Sequence, residues 1–185
     1  MANIKDSLKI LYKLEFADRK TALHQNKGEN GWTWKGIYQV ANPNWDGWKV
    51  IRQKMQQCNG DMALVSDMLY DNELLEEMTV ALYKKEYWDK MKLDEVNSQK
   101  IADEIFIFGV NVGLASAIRV AQRACGAIAD GVLGPKTIKA LNEVDEATFD
   151  KVFDQLEVNY YAMIVDKNPA KAIYLNGWRN RAYAV

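Results

Sequence analysis

The first fifteen residues place apolar side chains at the spacing of one helix face. Ile4, Leu8 and Leu11 follow one another at intervals of four and three residues, and Glu15 comes four residues later. Lysines occupy the other side, at positions 5, 9 and 13. This periodicity predicts an amphipathic helix. Because a carboxylate continues the apolar face, we expect Glu15 at the edge of a core or in a cleft.

The periodic pattern stops between Thr21 and Gly47. This stretch contains Asn42-Pro43, Asp46-Gly47 and further glycines, which are typical of turns, and "WTWKGIYQV" offers a few strand-like alternations. We predict a long irregular loop that can hold a short hairpin. Loops of this length within compact domains are usually functional.

Helical patterns return after Trp48. One helix ends before Asn59-Gly60, and residues 61–91 form one long helix or two, with Asn72 as the cap of the second. Ser98 caps a further helix. In it Gly109 and Gly113 lie four residues apart, so they are predicted to share a face that is open to close packing.

The last third of the chain is also predicted to be helical. Gly134-Pro135 opens a short helix with proline at its first position. Asp145 caps an amphipathic helix whose apolar side chains are Phe149, Val152, Phe153, Leu156, Tyr160 and Met163. Asn168-Pro169 ends it, a last helix carries "YLNGWRNRA", and no linker or repeat separates these pieces. The predicted fold class is therefore mainly α, with one irregular aromatic segment after the first helix.

The composition is that of a globular chain: 185 residues, of which 49% are hydrophobic and 26% charged. The sequence has no run of 18 apolar residues and no recognisable secretion signal, so we expect synthesis in the cytoplasm and no membrane insertion. The net charge of −1 is uneven, at +5 over residues 1–60, −9 over 61–160 and +3 over 161–185. Basic ends suit an anionic polymer such as nucleic acid or the bacterial cell wall, unless the unevenness merely reflects solvated faces.

The sequence gives little support for a metal centre. Cys58 and Cys125 are the only cysteines and His24 is the only histidine, so a zinc site would have to use carboxylates as well. We therefore predict no metal and no cofactor. The two thiols are expected to be free, with a single disulfide as the alternative.

A glutamate at the end of a helix, followed by an aromatic loop, suits the hydrolysis of a polysaccharide. Glycosidic cleavage needs a carboxylic acid that keeps its proton near neutral pH, and burial raises a glutamate pKa in that direction. Tryptophan rings suit the apolar faces of sugars. The predicted substrate-binding residues are His24, Trp32, Trp34, Tyr38, Trp45 and Trp48. Two alternatives stay open: Glu15 pairs with Arg19 at the surface, or the tryptophans form a small core that pins the loop.

Six short motifs are spread over nearly the whole chain. They are "KLEF" around Glu15, "GWTWKGIY" from residue 31, "YKKEYW" (83–88), "FGVNVG" (108–113), "DGVLGPKT" (130–137) and "GWRNR" (177–181). In this order they resemble the bacterial and phage N-acetylmuramidase family of lysozyme-like glycoside hydrolases, which includes endolysins and secretion activators.

The resemblance implies a lysozyme-like helical fold and cleavage of the β-1,4 bond between N-acetylmuramic acid and N-acetylglucosamine in peptidoglycan. It implies that Glu15 is the catalytic acid, because the family places its essential glutamate at the end of the first helix. It also implies a catalytic region over residues 1–105 and a helical peptidoglycan-binding region over residues 106–185, packed into the same globule. We expect a monomer that reaches its partner, peptidoglycan, through a holin or a dedicated export system.

The chain departs from the family at the second catalytic group. Typical members have an aspartate nine residues after the glutamate, where this chain has His24. Glu29 lies nearest to the missing aspartate once a short insertion is allowed, and Thr33 is predicted to position the attacking water. Asp18 and Asp46 are weaker candidates.

Three other functions stay open from the sequence. A lytic transglycosylase uses one glutamate as acid and base and forms an anhydro sugar without water. A non-catalytic wall-binding or phage structural protein would keep the aromatic loop and lack activity. A nucleic-acid binder ranks last, because no recognised motif is present and the chain is not basic overall.

Overall fold

The computed structural model describes residues 1–16 and 18–185, and helices dominate them. The helices are α1 (Ile4–Glu15), α2 (Gly47–Gln57), α3 (Met62–Leu69), α4 (Glu73–Tyr83), α5 (Gln99–Val112), α6 (Leu114–Ala124), α7 (Pro135–Glu143), α8 (Glu146–Lys167) and α9 (Leu175–Ala182). Shorter turns are 3-10 helical at Arg19–Thr21, Leu93–Glu95 and Pro169–Tyr174, and π-helical at Lys84–Trp88. The strands are β1 (Leu23–His24), β2 (Thr33–Trp34) and β3 (Ile37–Tyr38). The mainly α fold class is confirmed.

Packing divides the chain into two compact units. One unit comprises residues 8–85, and the other comprises residues 1–7 together with residues 86–185. These units are defined by packing, whereas the predicted boundary after residue 105 concerns function and stays a prediction. No helix in the described part of the chain is long and apolar enough to cross a membrane.

The unit of residues 8–85 contains a small antiparallel sheet in the segment predicted as a loop. The strand order is β1-β2-β3, with Leu23 opposite Trp34 and Trp34 opposite Ile37. These three side chains are almost fully buried, so one sheet face completes the core of the unit. The predicted hairpin is confirmed, and a third strand is added to it.

Helix starts follow the predicted caps. The side chains of Asn72, Ser98 and Asp145 each accept a hydrogen bond from a backbone N–H in the first turn of α4, α5 and α8, at 2.9, 3.1 and 2.9 Å. Pro135 is the first residue of α7, as predicted. Both cysteines are free thiols, as expected from the sequence.

The face of α8 that the second unit buries agrees only in part with the predicted one. Phe149, Phe153 and Tyr161 are buried, and the rings of Phe153 and Tyr161 each lie 5.8 Å from the ring of Phe108 on α5. Two of the predicted apolar positions, Val152 and Met163, are 38% and 54% exposed. The buried face therefore includes a carboxylate, that of Glu157, which is 4% exposed.

The glycine pair also differs from the prediction. Gly109 does permit close packing, since a Cβ there would lie 2.9 Å from the Cε atom of Met91 and 3.5 Å from the Cβ atom of Ala117. Gly113, in contrast, has φ of 90° and separates α5 from α6. The prediction of one shared helix face was wrong, because this left-handed backbone ends the helix.

Candidate active site at the end of the first helix

Glu15 is the last residue of α1, and its side chain is half-buried. Leu8 and Leu11, earlier on the same face, are buried at 1% and 0% exposure, so Glu15 lies at the edge of an apolar core. The backbone of Gly36 passes close to this carboxyl group. A Cβ atom on Gly36 would lie only 3.7 Å from the carboxyl carbon of Glu15.

The turn between β2 and β3 explains how the backbone comes so close. Its two residues, Lys35 and Gly36, have φ of 44° and 86°. Two positive φ values in a two-residue loop are the pattern of a type I′ hairpin, in which glycine is strongly preferred. Tyr83 of α4 holds the turn, since its hydroxyl donates a hydrogen bond of 2.9 Å to the Lys35 carbonyl. A Cβ on Gly36 would lie 2.5 Å from that hydroxyl oxygen.

Replacing Gly36 by alanine is expected to lower activity about tenfold and the free energy of unfolding by about 1–3 kcal/mol, through backbone strain and the clash with Tyr83. Gly28 is a matched control, because its φ is 87° and a Cβ there meets no atom within 4 Å. Gly28→Ala should lower the free energy of unfolding through the same backbone strain, and it should keep the wild-type activity. Activity on a bacterial wall suspension, the substrate that the family resemblance implies, and chemical denaturation of both variants measure the two effects. Equal activity in both variants would mean that the Gly36 contact does not shape the site.

Lys35, the first residue of this turn, is a buried cation with 3% of its surface exposed. Its Nζ atom donates to Glu76 Oε2 at 2.7 Å and to the Tyr70 carbonyl at 3.1 Å. The ammonium group also lies 4.8 Å from the ring centre of Tyr12 and 4.6 Å from that of Tyr70. A buried charge needs such partners. Lys35 thus fixes the turn to α4 and orients both tyrosines.

An open cleft of about 360 Å³ lies beside the last turns of α1. It is lined by Lys9, Tyr12, Lys13, Phe16, Asp18 and Tyr70. The ring of Phe16 lies 5.8 Å from Tyr12 and meets Tyr70 edge-on at 6.1 Å. Tyr12 donates to Glu76 Oε1 at 3.0 Å, and its burial raises the pKa of its hydroxyl far above the usual range. The cleft therefore combines aromatic faces with two lysines.

The predicted aromatic wall divides into core and half-buried residues. Trp34 and Trp48 are fully buried, and their indole N–H groups donate to Thr79 Oγ1 at 3.2 Å and to the Asn42 carbonyl at 2.8 Å. No face of either ring is open to a ligand, so the substrate-binding role predicted for these two does not fit their positions. They form the small core that was the alternative.

The remaining aromatic candidates, Trp32, Tyr38 and Trp45, are half-buried. The indole N–H of Trp45 donates to the Met78 carbonyl at 3.3 Å, and its ring meets Trp48 edge-on at 5.0 Å. Trp45 therefore helps to hold the loop on α4. These three side chains keep enough exposure to contact a ligand as well.

The second sheet face brings together three of the predicted site residues. His24 lies opposite Thr33, and Thr33 lies opposite Tyr38, so their side chains share one face. The His24 ring hydrogen-bonds through Nδ1 to the Thr21 carbonyl at 3.0 Å. Thr33, which is 8% exposed, is three residues from Gly36, so their Cα atoms lie at most about 11 Å apart.

The carboxylates predicted as candidates for the second catalytic group differ in their interactions. Asp18 caps the turn Arg19–Thr21, and Asp46 pairs with Lys49 at 2.7 Å, which lowers the pKa of Asp46. Glu29 is half-buried between β1 and β2, and its Oε2 atom accepts no hydrogen bond from the described residues. Arg19, the alternative partner of Glu15, forms ion pairs with Asp67 and Asp71.

Comparison with known proteins assigns the chain to a family. Residues 21–113 match the model of glycosyl hydrolase 108, and residues 116–183 match that of a predicted peptidoglycan domain. Glu15 lies six residues before the first match. A search of curated proteins finds no match. The solved structure of SagA from Brucella abortus shares 18% sequence identity and the fold, with a TM-score of 0.58 over 97% of this chain and 93% of that one. The chain belongs to the glycosyl hydrolase 108 family of N-acetylmuramidases and is a peptidoglycan hydrolase.

Proposed function

We propose that Glu15 is the general acid with which this enzyme cleaves the β-1,4 bond between N-acetylmuramic acid and N-acetylglucosamine. The observation that carries this proposal is the position of the carboxyl group. Glu15 ends an apolar helix face, is half-buried close to Gly36 and directly precedes Phe16, which lines the aromatic cleft. In this position it can donate its proton to the leaving oxygen of a sugar that lies in the cleft.

The second group of the reaction must activate water or stabilise the positive charge that develops on the sugar ring. Asp18 and Asp46 are engaged in a cap and an ion pair, which argues against both. Glu29 keeps an unpartnered oxygen among the described residues, and Thr33 shares a sheet face with His24 and Tyr38. We therefore propose Glu29 as the base, with Thr33 positioning the water.

The cleft residues are proposed to bind the glycan next to the cleaved bond. Phe16 and Tyr70 offer ring faces and edges for the apolar faces of a sugar. Lys9 and Lys13 lie along the same cleft, and their charges suit the carboxylates of the peptides that are attached to N-acetylmuramic acid. Peptidoglycan is more anionic than a neutral glycan, so the lysines favour it over chitin-like polymers.

Phe16→Ala should raise KM for soluble glycan fragments about tenfold, equivalent to about 1.4 kcal/mol, because one ring contact is lost. The turnover number should change little, since Phe16 does not donate or accept the proton. Leu74→Ala is the control, because Leu74 is an exposed apolar residue of the same unit at 54% exposure. An unchanged KM in Phe16→Ala would exclude the cleft as a subsite.

We further propose that residues 106–185 hold the polymer while residues 1–105 cut it. The match of residues 116–183 to a predicted peptidoglycan domain supports this division. The proposed reaction involves no metal and no organic cofactor. The proposed working state is a monomer, with no role for nucleic acid.

Digestion of purified peptidoglycan in water enriched in ¹⁸O tests the proposed reaction. A hydrolase is expected to release muropeptides with a reducing N-acetylmuramic acid end that carries ¹⁸O, which mass spectrometry detects. Anhydro products without ¹⁸O would show that the enzyme is a lytic transglycosylase and not a hydrolase. Products with reducing N-acetylglucosamine ends would contradict the proposed bond.

A further inference from the structure

A buried carboxylate outside the proposed active site receives no hydrogen bond from the described residues. The side chain of Glu104 on α5 is 1% exposed. Neither of its two oxygens has a hydrogen-bond partner among the residues that the structure describes. The Nζ atom of Lys100 is 3.9 Å from Oε1, which is longer than a hydrogen bond. Leaving a buried carboxylate in this state is costly, so the site requires a cation or a proton.

Helix α8 directs two further carboxylates toward Glu104. Asp150 and Asp154 lie four residues apart and therefore share a helix face. One oxygen from each of the three side chains lies within 4.8 Å of the other two. The Oδ1 atom of Asp154 is also shielded from solvent without a hydrogen-bond partner in the described part of the chain. Unsatisfied acceptor oxygens thus converge from two helices.

The charges around this cluster do not balance. Lys100 lies at its rim, where it pairs with Asp150 at 3.0 Å and donates to the Val185 carbonyl at 2.7 Å. Glu157, one turn further along α8, is buried as well, and this burial raises its pKa to about 8 although the positive charge of Arg181 opposes the shift. When the three carboxylates are ionised, Lys100 compensates one of three negative charges. A residual charge of −2 corresponds to a divalent cation.

We propose that Glu104, Asp150 and Asp154 bind one divalent cation, with calcium preferred. All three ligands are carboxylate oxygens, which suit calcium and magnesium rather than zinc. Oxygens up to 4.8 Å apart can both reach an ion at 2.4 Å, which is within the calcium–oxygen range of about 2.3–2.6 Å. Magnesium requires about 2.0–2.1 Å and would need a tighter cluster. Asp150 is 30% exposed, so water can complete the coordination from its side.

The ion would join α5 to α8 within the second unit. Asp150 and Asp154 belong to the segment that matches the predicted peptidoglycan domain, whereas Glu104 belongs to the hydrolase match. The site is separate from the proposed catalytic residues, and its role is structural. In the absence of the ion a proton is the alternative, since burial and the charge of Glu157 raise the pKa of Glu104 to about 10. Protonated Glu104 can donate to Asp150, which raises this pKa further.

Calorimetric titration of the full chain with calcium chloride, after treatment with EDTA, tests the site. One ion per chain should bind, and saturating calcium should raise the unfolding temperature by about 5 °C. Glu104→Gln should weaken calcium binding at least tenfold. In EDTA this variant should unfold at the same temperature as the wild type or a higher one, because a buried charge is removed.

Asp166→Asn is the matched control, since it removes an exposed carboxylate from the same helix and should keep the calcium response. Asp154→Asn provides an independent loss of one ligand and should behave like Glu104→Gln. If the wild type binds no calcium, or if Glu104→Gln binds it as tightly as the wild type, the proposal is overturned and the cluster holds a proton. Magnesium binding more tightly than calcium would overturn the stated preference.

Discussion

Glu15→Gln is expected to lower the rate of peptidoglycan hydrolysis by about 10³-fold, because glutamine has the shape of the acid and carries no transferable proton. The loss should appear in the turnover number, while KM for soluble glycan fragments should stay within about twofold. The unfolding temperature should change little, since Glu15 is half-buried at the edge of the core. Release of reducing ends from purified wall, measured alongside thermal unfolding, gives both quantities.

Glu77→Gln is the control for this experiment, because Glu77 is an exposed glutamate on α4 in the same unit. It should retain the wild-type rate. A Glu15→Gln enzyme with at least a tenth of the wild-type rate would exclude Glu15 as the acid. The calcium measurement stays informative in that case, because the proposed ion site shares no residue with the catalytic site.

The sequence predicted the features that depend on local physics. Asn72, Ser98 and Asp145 cap helices because a side-chain oxygen reaches a backbone N–H two or three residues away. The stripe that ends at Glu15 likewise follows from a 3.6-residue period. These interactions lie within a few residues of chain, so they are visible without knowledge of the fold.

The cleft could not be predicted, because its walls come from distant positions. Tyr12 and Phe16 look like ordinary residues of the first helix, and Tyr70 follows α3 more than fifty residues later. The contact between Gly36 and Tyr83 is of the same kind. A signal did exist in the sequence: Lys35-Gly36 between two short β-like stretches is a hairpin pattern, and it marks the turn that meets Glu15.

The carboxylate cluster escaped prediction for a different reason. Cysteine and histidine, the usual zinc ligands, are scarce in the chain, whereas the proposed ligands are carboxylates on two helices whose packing cannot be inferred from the sequence. Glu104 lies between the apolar residues Ile101 and Ile105, and only the structure reveals that it is buried. The wrong prediction that Val152 and Met163 lie on the buried face of α8 has the same origin. The buried face depends on the packing of α5, α6 and α9 against α8.

Trp34→Ala is expected to lower the free energy of unfolding of the first unit by about 3–5 kcal/mol. Trp34 is fully buried on the core face of the sheet, and removing its ring leaves a cavity and takes the indole donor from Thr79. Urea denaturation followed by circular dichroism measures this change. Trp34→Phe should lose less stability than Trp34→Ala, because phenylalanine keeps most of the buried volume.

Trp34→Ala also distinguishes the two interpretations of the tryptophan-rich loop, which are a substrate-binding surface and a small core. Trp45→Ala is the comparison, because Trp45 is half-buried and lies in the same segment. We expect its stability loss to be smaller than that of Trp34→Ala, since less of the ring is packed. If Trp34→Ala instead kept its stability and lost affinity for the wall polymer, Trp34 would contact substrate, which its burial argues against. The predicted order of losses follows from exposure alone, and the catalytic assignment of Glu15 does not affect it.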